Sequence, residues 1–378
     1  MSGETHRTQS ETSAEEAYKA EYERLMETLI SQIEREAFLD ARKTVQSVLR
    51  LRPADQAALD ANAFLAEHLS QQSDEGKALR GHAAWVNSVA FTSDSQFAIS
   101  GAGGAISNGQ LADGDDRTIR LWDLADLEEI HRFEGHTGLV TCVAWSPVRP
   151  QIASTSRDGS IALWDVSELR RIRLFQRNKP AELSVAFSED GERLLTTGDD
   201  GVIRLWDVSS GNCIRRCSGH EGAATCVTFF ADDRHALSAG LDGTIRLWDL
   251  ENTVLVTQFK KAGAEWLALA CTPDALTVFA AGSDGAIHRW NVTDGVESPP
   301  LVGHEGTINS IAVSPDGARV VSGGSDKTVR VWDIRSGTLV HTFAGHRDAV
   351  NSVAVAPDNR SILSGSSDTT IRLWPMPL

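Results

Sequence analysis

Residues 303–334, GHEGTINSIAVSPDGARVVSGGSDKTVRVWDI, contain three short apolar segments that are separated by turn residues. The first, INSIAV, alternates apolar and polar side chains and ends at Ser-Pro-Asp-Gly, a composition typical of a tight turn. The second, ARVVSGG, leads to a turn that contains Asp326, and the third, TVRVWDI, contains Trp332. A fourth segment, TLVHTF, follows, so the pattern predicts four consecutive short strands.

This four-strand pattern recurs along most of the chain. One tryptophan marks the third strand of each unit, and successive tryptophans are 42 residues apart: Trp122, Trp164, Trp206, Trp248, Trp290, Trp332 and Trp374. The first unit carries an insertion at residues 102–113, and the units together occupy residues 73–378. Four strands per unit, repeated seven times, predict an all-β fold, a seven-bladed β-propeller.

The units resemble the WD-repeat (WD40) family, which is marked by Gly-His and Trp-Asp pairs at regular spacing. Five units begin with Gly-His, at residues 81–82, 135–136, 219–220, 303–304 and 345–346. Two units depart from the second mark, because Asn291 and Pro375 follow their tryptophans. The resemblance covers roughly four-fifths of the chain.

The resemblance implies a hydrogen-bond network inside each blade, from the tryptophan through a hydroxyl and a histidine to an aspartate. Such a network ties the strands of one blade together. Its predicted members are His82, Ser100, Asp116, Trp122, His136, Ser154, Asp158, Trp164, Thr196, Asp200, Trp206, His220, Ser238, Asp242, Trp248, Asp284, Trp290, His304, Ser322, Asp326, Trp332, His346, Ser364, Asp368 and Trp374.

The same residue types suggest a catalytic triad, but their repetition favours a structural role. A nucleophile needs one activated site in a pocket, whereas this set recurs in unit after unit. The repeated histidines belong to different blades, so no metal site is expected. The motifs of P-loop proteins, kinases, zinc proteases and serine hydrolases are absent from the sequence. We therefore expect that the protein is not an enzyme and that it binds no cofactor.

Composition excludes other classes of function. The net charge of −16 opposes nucleic-acid binding, and no apolar run is long enough to span a membrane. The N-terminus lacks the apolar region of a secretory signal, so a cytoplasmic location is the default expectation. Five cysteines, without a secretory context, favour free thiols over disulfides.

Both ends of the chain are predicted to close the ring. The last unit stops after its third strand, at TTIRLWPMPL. Upstream of His82, EGKALRGH resembles the fourth-strand segment TLVHTFAGH. We therefore expect residues 75–80 to complete the last blade, which removes an exposed strand edge.

The N-terminal region is predicted to be helical. Residues 1–13 look like a disordered tail, and residues 14–72 form an α-helical module in which Tyr22, Leu25 and Leu29 lie on one helix face. The stretch EAFLDARKTVQSVLRLRPAD resembles part of a tetratricopeptide repeat, although the leading Trp and Gly of that motif are absent. The module either packs on itself or on the propeller, or self-associates, or it docks a partner.

The departures from the repeat are the expected sites of specific function. Unit three has Asn178-Lys179-Pro180 in place of Gly-His, and Glu182 at an apolar strand position. Unit five has Ala262 and Ala280 at the histidine and hydroxyl positions, beside Glu265-Trp266. Neutral drift in a redundant ring is the alternative explanation.

The glycines at the start of the insertion, Gly101, Gly103 and Gly104, look like a phosphate cradle. A phosphate cradle leads from a strand into a helix, whereas this cluster leads into another strand. Phosphate binding is therefore not expected, and the insertion is instead a candidate for partner specificity.

We expect a non-catalytic scaffold that binds a protein or peptide on one face of the propeller, the usual recognition face of the resembled family. The candidate contact residues on it are Trp85, Leu139, Arg157, Asp199, Leu241 and Glu265. Trp85 either contacts the partner or packs under the insertion. The alternative is a small-ligand-binding or hydrolytic propeller, in which Glu182 and Glu265 face a substrate in the central channel.

Overall fold

The computed structural model describes residues 9–34, 41, 44–45, 47–49, 52, 55–61, 76–107, 110–112, 114–177, 180–230 and 232–377. The chain divides into two compact units, Met1–Asp74 and Glu75–Leu378. Within the described part of the chain, no helix is long and apolar enough to cross a membrane.

The first unit is helical and has a core of its own. Helix α1 (Gln9–Glu34) begins earlier than the predicted boundary at residue 14, and residues 1–8 of the predicted tail lie outside the described residues. Residues 41, 44–45, 47–49 and 56–61 are also helical. Apolar side chains of α1, including Tyr22, Leu25 and Leu29, pack with Val45 and Val48. This packing does not establish a tetratricopeptide repeat.

A polar contact joins α1 to the segment that follows. The hydroxyl of Tyr22 donates to Oδ2 of Asp55 at 2.5 Å, and the guanidinium of Arg52 lies 3.8 Å from the Tyr22 ring centroid. The other oxygen of Asp55 accepts a hydrogen bond from the backbone N of Ala58 at 2.9 Å. Asp55 therefore caps the helical residues 56–61 while it holds α1.

The second unit is built from short strands. The first strands in chain order are β1 (Lys77–Leu79), β2 (Val86–Phe91), β3 (Phe97–Ala102), β4 (Ala105–Ser107), β5 (Gln110–Ala112), β6 (Ile119–Asp123), β7 (Glu129–Phe133), β8 (Val140–Trp145), β9 (Gln151–Ser156), β10 (Ser160–Asp165) and β11 (Arg170–Arg177). The next are β12 (Glu182–Phe187), β13 (Arg193–Gly198), β14 (Val202–Asp207), β15 (Cys213–Ser218), β16 (Ala224–Phe229), β17 (His235–Gly240), β18 (Thr244–Asp249) and β19 (Val254–Lys260). The last are β20 (Trp266–Cys271), β21 (Thr277–Gly282), β22 (Ala286–Asn291), β23 (Glu297–Val302), β24 (Ile308–Val313), β25 (Arg319–Gly324), β26 (Val329–Asp333), β27 (Leu339–Phe343), β28 (Val350–Val355), β29 (Ser361–Ser366) and β30 (Ile371–Pro375).

These strands form seven antiparallel four-stranded sheets, so the predicted seven-bladed propeller is confirmed. We number the blades 1 to 7 by their first strands, β2, β8, β12, β16, β20, β24 and β28. The first strand of each blade contacts the first strands of both neighbouring blades, and these strands form a closed inner ring. The insertion folds as a separate two-stranded sheet, β4–β5, between the second and third strands of blade 1.

The repeated tryptophans fill the gaps between blades. Trp332 of blade 6 packs with Phe279 and Ile308, and Trp122 of blade 1 packs with Leu363 of blade 7. The same arrangement holds for Trp164, Trp206, Trp248, Trp290 and Trp374, each of which packs against the preceding blade. The apolar face of every sheet is thus buried against a neighbour.

The predicted ring closure is also confirmed. Strand β1 pairs antiparallel with β30 and becomes the outer strand of blade 7, with Leu79 opposite Ile371. Leu79 is 1% exposed and packs with Val86 and Trp122 of blade 1. The two ends of the propeller sequence are therefore held in one sheet.

We predict that Leu79→Ala lowers the free energy of unfolding by about 2–5 kcal/mol, because it empties a packed site at the closure. Lys77→Ala, at an exposed position on the same strand, is the matched control and should change it by less than about 0.5 kcal/mol. Urea unfolding followed by tryptophan fluorescence measures both. Equal stability of the two variants would contradict a closing role for β1.

Candidate functional site

One face of the propeller carries two residues of each blade that are joined by a backbone hydrogen bond. The first residue precedes the first strand, and the second lies in the turn after the second strand. The backbone N of the second donates to the carbonyl of the first, at 2.8–3.3 Å: Gly103 to Trp85, Arg157 to Leu139, Asp199 to Ala181, Leu241 to Ala223, Ser283 to Glu265, Ser325 to Thr307 and Ser367 to Ala349. We call the surface formed by these pairs the loop face. Its backbone repeats in every blade while its side chains differ.

The six predicted contact residues all belong to these pairs, but one of them is not accessible. Arg157, Asp199, Leu241 and Glu265 are exposed, and Trp85 is half-buried. Leu139 is only 8% exposed, so the prediction that it contacts a partner is wrong. The insertion covers Leu139. Its residue Gly103 lies so close to Leu139 that a Cβ atom on Gly103 would be 2.4 Å from Cβ of Leu139.

Gly103 has a φ of +149°, a conformation that side chains rarely adopt. Gly101 instead packs against blade 2, where a Cβ atom would be 2.6 Å from Cγ1 of Val140. The glycine cluster therefore serves close packing at the start of the insertion, and the chain after it continues into β4 rather than a helix.

A relay of hydrogen bonds holds the loops of this face. In blade 6, Nδ1 of His304 lies 2.9 Å from Asp326, and Nε2 lies 2.7 Å from Oγ of Ser322. Trp332 donates its indole N–H to the same Oγ at 2.9 Å. Because the carboxylate only accepts, His304 holds its proton on Nδ1 and accepts from Ser322 at Nε2.

The relay recurs in blades 1, 4 and 7, where each histidine lies 2.7–3.1 Å from its serine and its aspartate. Blade 2 differs, because Nδ1 of His136 lies 2.6 Å from Oγ of Ser160 and 3.9 Å from Asp158. In these blades the aspartate also accepts a backbone N–H of the loop that precedes the first strand, such as that of Glu305 to Asp326 at 3.1 Å. The relay therefore ties the two loops of one blade together.

Burial sets the charge states of the relay. It lowers the pKa of all five relay histidines, and that of His136 to about 4. Burial alone would raise the pKa of Asp242, but hydrogen bonds from Glu221 N and from Thr244 lower it to about 2. Neutral histidines and charged aspartates therefore coexist at neutral pH.

Blade 3 replaces the histidine with a buried carboxyl group. Asn178 and Lys179 lie outside the described residues, and Trp206 donates to Oγ1 of Thr196 at 3.0 Å. Glu182 is fully buried, 3.5 Å from the guanidinium of Arg204, and burial raises its pKa to about 7 against the attraction of that cation. The prediction that Glu182 faces a substrate in the channel is therefore wrong.

Blade 5 replaces the relay with an aromatic group and a different histidine. Trp266 is fully buried, and its ring lies 5.4 Å from that of His288 and 5.7 Å from that of Trp290. Nε2 of His288 lies 2.8 Å from Asp284, which is the contact that a relay histidine makes elsewhere. Sequence reasoning missed His288. Its signal is that it stands in the repeat where five other blades have an arginine, such as Arg330.

A second set of side chains ties five of the seven blades to the next. Thr141 donates to the carbonyl of Glu182 at 2.7 Å and Thr225 to that of Trp266 at 2.7 Å. Asn87, Asn309 and Asn351 make the same inter-blade bond to Val140, Val350 and Val86. Leu183 and Leu267 take this position in blades 3 and 5 and cannot make the bond.

The leucine in blade 3 leaves a polar atom without a partner. In blade 2, Oγ1 of Thr141 also lies 2.9 Å from Oγ1 of Thr155. Thr197 is the counterpart of Thr155, and its hydroxyl is buried with no hydrogen-bond partner in the described part of the chain. A buried hydroxyl without a hydrogen-bond partner lowers the free energy of unfolding by about 1–3 kcal/mol. Sequence reasoning missed both leucines, although they interrupt a run of Asn and Thr at one repeat position.

A metal or thiol site finds no support in the described residues, where no three His, Cys, Asp or Glu side chains are grouped to hold a metal ion. The five cysteines are free. Cys142 and Cys226 lie in first strands, and burial raises the pKa of the Cys226 thiol to about 11. Such thiols are poor nucleophiles at neutral pH.

Comparison with known proteins identifies the repeat. The family described as "WD domain, G-beta repeat" matches residues 74–123, 127–165, 178–207, 211–249, 297–333 and 337–375, which is more than half of the chain. The first three strands of blade 5 lie in the gap between these matches, where the relay residues are replaced.

A curated relative is similar over a short region. The "WD repeat-containing protein 26 homolog" of Drosophila melanogaster is 32% identical over 65 residues. That region covers 17% of this chain and 10% of the relative, so the chain spans far less than two thirds of the relative's length.

Ser322→Ala should lower the free energy of unfolding by about 2–6 kcal/mol, because His304 and Trp332 each lose a partner while buried, at about 1–3 kcal/mol per group. Ser283→Ala, at an exposed loop-face position, is the control and should change it by less than about 0.5 kcal/mol. Chemical denaturation measures both. A loss below 1 kcal/mol, the lower figure for a single such group, would show that the relay carries little stability.

The stability should depend on pH through two opposing groups. The histidines are neutral in the folded state, so the unfolded state binds more protons below about pH 6.5, and the free energy of unfolding falls as pH falls towards 4. Glu182 opposes this, because between its unfolded pKa of 4.5 and its folded pKa of about 7 the folded state binds more protons. We predict that Glu182→Gln makes the decline from pH 7 to pH 5 steeper. Urea titrations at both pH values test this, and an unchanged or shallower slope would contradict it.

Proposed function

Because the chain belongs to the WD domain, G-beta repeat family, we propose that it is a scaffold that binds a protein or peptide partner on the loop face. The observation that carries the proposal is the loop face itself, where a constant hydrogen-bonded backbone presents different side chains in each blade. A rigid frame with variable side chains suits recognition, because few groups must be ordered on binding.

The exposed residues of this face supply the contacts. Arg157, Asp199, Leu241 and Glu265 offer charged and apolar groups around the ring, and half-buried Trp85 stands beside the insertion. Tryptophan and arginine are enriched among residues that dominate binding energy. Association through these groups requires no catalytic residue or cofactor, so we propose a non-catalytic role.

The insertion at residues 102–113 is proposed to add specificity in blade 1. It is the longest departure from the repeat, and its hairpin is joined to Trp85 by two backbone hydrogen bonds, Gly103 N to Trp85 O at 2.9 Å and Trp85 N to Gly104 O at 3.3 Å. The burial of Glu182 removes one of the two carboxylates on which the alternative, a ligand or substrate in the channel, depends.

We predict that Trp85→Ala reduces partner capture from native lysate of the source cells without a matching loss of stability. Crosslinking with mass spectrometry identifies both the partner and the residues it contacts. Val148→Ala is the control, because Val148 is exposed in a turn between first and second strands, on the opposite face. Deletion of residues 102–113 should preserve the blade and weaken the same partner.

The proposal would be contradicted by crosslinks confined to the opposite face, together with capture by Trp85→Ala and by the deletion variant that equals capture by the unaltered protein. A turnover activity of the pure protein that depends on loop-face residues would also overturn the non-catalytic role.

A further inference from the structure

Three consecutive blades share an unusual composition at the loop face and in the first-strand and loop residues next to it. Leucines occur at Leu183 in blade 3, Leu241 in blade 4 and Leu267 in blade 5; Leu241 is 42% exposed and the other two are half-buried. The exposed carboxylates Asp199, Glu221 and Glu265 lie in the loops of the same three blades. We call these six residues the blade 3–5 sector.

The two half-buried leucines stand where the fold itself prefers a polar residue. In blade 4, between them, Thr225 bonds Trp266 O at 2.7 Å and Ala239 O at 3.1 Å. A threonine at position 183 would reach the corresponding carbonyl of Ala224 and would also face the unpartnered hydroxyl of Thr197. The leucine side chain can make neither hydrogen bond. Residues that lower stability at a solvent-accessible position are expected where binding requires them.

The carboxylates of the sector form no ion pair with any described residue, a set that does not include Lys179. No Lys, Arg or His nitrogen lies within 4.0 Å of Asp199, Glu221 or Glu265 in the described part of the chain. The nearby cation Lys261 is already paired, at 3.2 Å, with Glu297. Arg157, Lys327 and Arg347 are exposed bases in the loops of blades 2, 6 and 7, and Lys260 is an exposed base of blade 4, opposite Thr244 at the end of β19.

We propose that the blade 3–5 sector binds a basic peptide segment of the partner protein. Aliphatic or aromatic side chains of that segment pack against Leu183, Leu241 and Leu267, and its Lys or Arg side chains pair with the three carboxylates. Charge complementarity selects this partner, because an acidic segment would meet three exposed like charges. This proposal rests on the proposed function and narrows it to one part of the loop face.

The probe is a phage-displayed library of random dodecapeptides, selected on the full-length chain, with the enriched peptides synthesised and measured by fluorescence anisotropy. The expected peptides combine at least one large apolar residue with two or more Lys or Arg residues. Their affinity should fall as salt rises, because exposed charges are screened. Enrichment of acidic peptides, or of none, would overturn the proposal.

The decisive variant is Leu183→Thr/Leu267→Thr, which restores the polar residues of the other blades. It should weaken peptide binding about tenfold or more, a change of about 1.4 kcal/mol, while the melting temperature stays equal or rises. Leu276→Thr is the matched control, because Leu276 is 52% exposed in a turn on the opposite face, and it should leave binding unchanged. Asp199→Asn/Glu221→Gln/Glu265→Gln should weaken binding and flatten its salt dependence.

The outcomes separate this proposal from the proposed function. If binding is lost in Trp85→Ala but persists in Leu183→Thr/Leu267→Thr, the partner site lies at blade 1, and the blade 3–5 proposal fails while the scaffold role stands. If the double variant loses binding only together with a fall in melting temperature, the leucines are structural, and the proposal also fails.

Discussion

The indole of each repeated tryptophan is the contact on which the propeller depends. It packs against the preceding blade and, in six of the seven blades, donates its N–H to a hydroxyl in the second strand of its own blade. The tryptophan side chain thus fills the gap between two blades and also fixes the position of the hydroxyl in its own blade. Where a histidine is present, that hydroxyl also bonds the histidine, and the histidine extends the relay to the loop face. Packing between blades and geometry of the loops are therefore coupled.

Blades 3 and 5 show how the fold tolerates loss of this relay. Glu182 with Arg204 in blade 3, and Trp266 with His288 in blade 5, replace the histidine with other large side chains, and His288 also makes the contact with the turn aspartate. Both substitutions start at the same repeat position, the first residue of the first strand. A buried position that loses one large group gains another, because an empty cavity lowers the free energy of unfolding by about 2–5 kcal/mol.

The same two blades lack the side-chain bond to the following blade. Neutral drift is enough to explain a single replacement of Asn or Thr by leucine. Here two such leucines lie on either side of blade 4, whose own loop-face residue, Leu241, is exposed. If these leucines contact a partner, as we propose, stability and recognition compete at this one repeat position. The ring withstands this, because the first-strand packing and the remaining inter-blade bonds continue around the closed circle. β1 pairs with the outer side of β30 and holds both ends of the propeller sequence in blade 7, so the ring stays closed despite the local weaknesses.

Local signals in the sequence determined the number of blades, the strand order, the ring closure and the site of the insertion, because each depends on patterns that repeat within about 42 residues. The tertiary structure alone decided the accessibility and the partners of individual residues. Leu139 is buried by an insertion that belongs to another blade, Glu182 meets Arg204 across its sheet, and His288 takes over a contact that its place in the repeat assigns to arginine. These outcomes depend on which side chains are near each other in space, and a repeat pattern specifies the backbone frame without specifying the side chains that fill it.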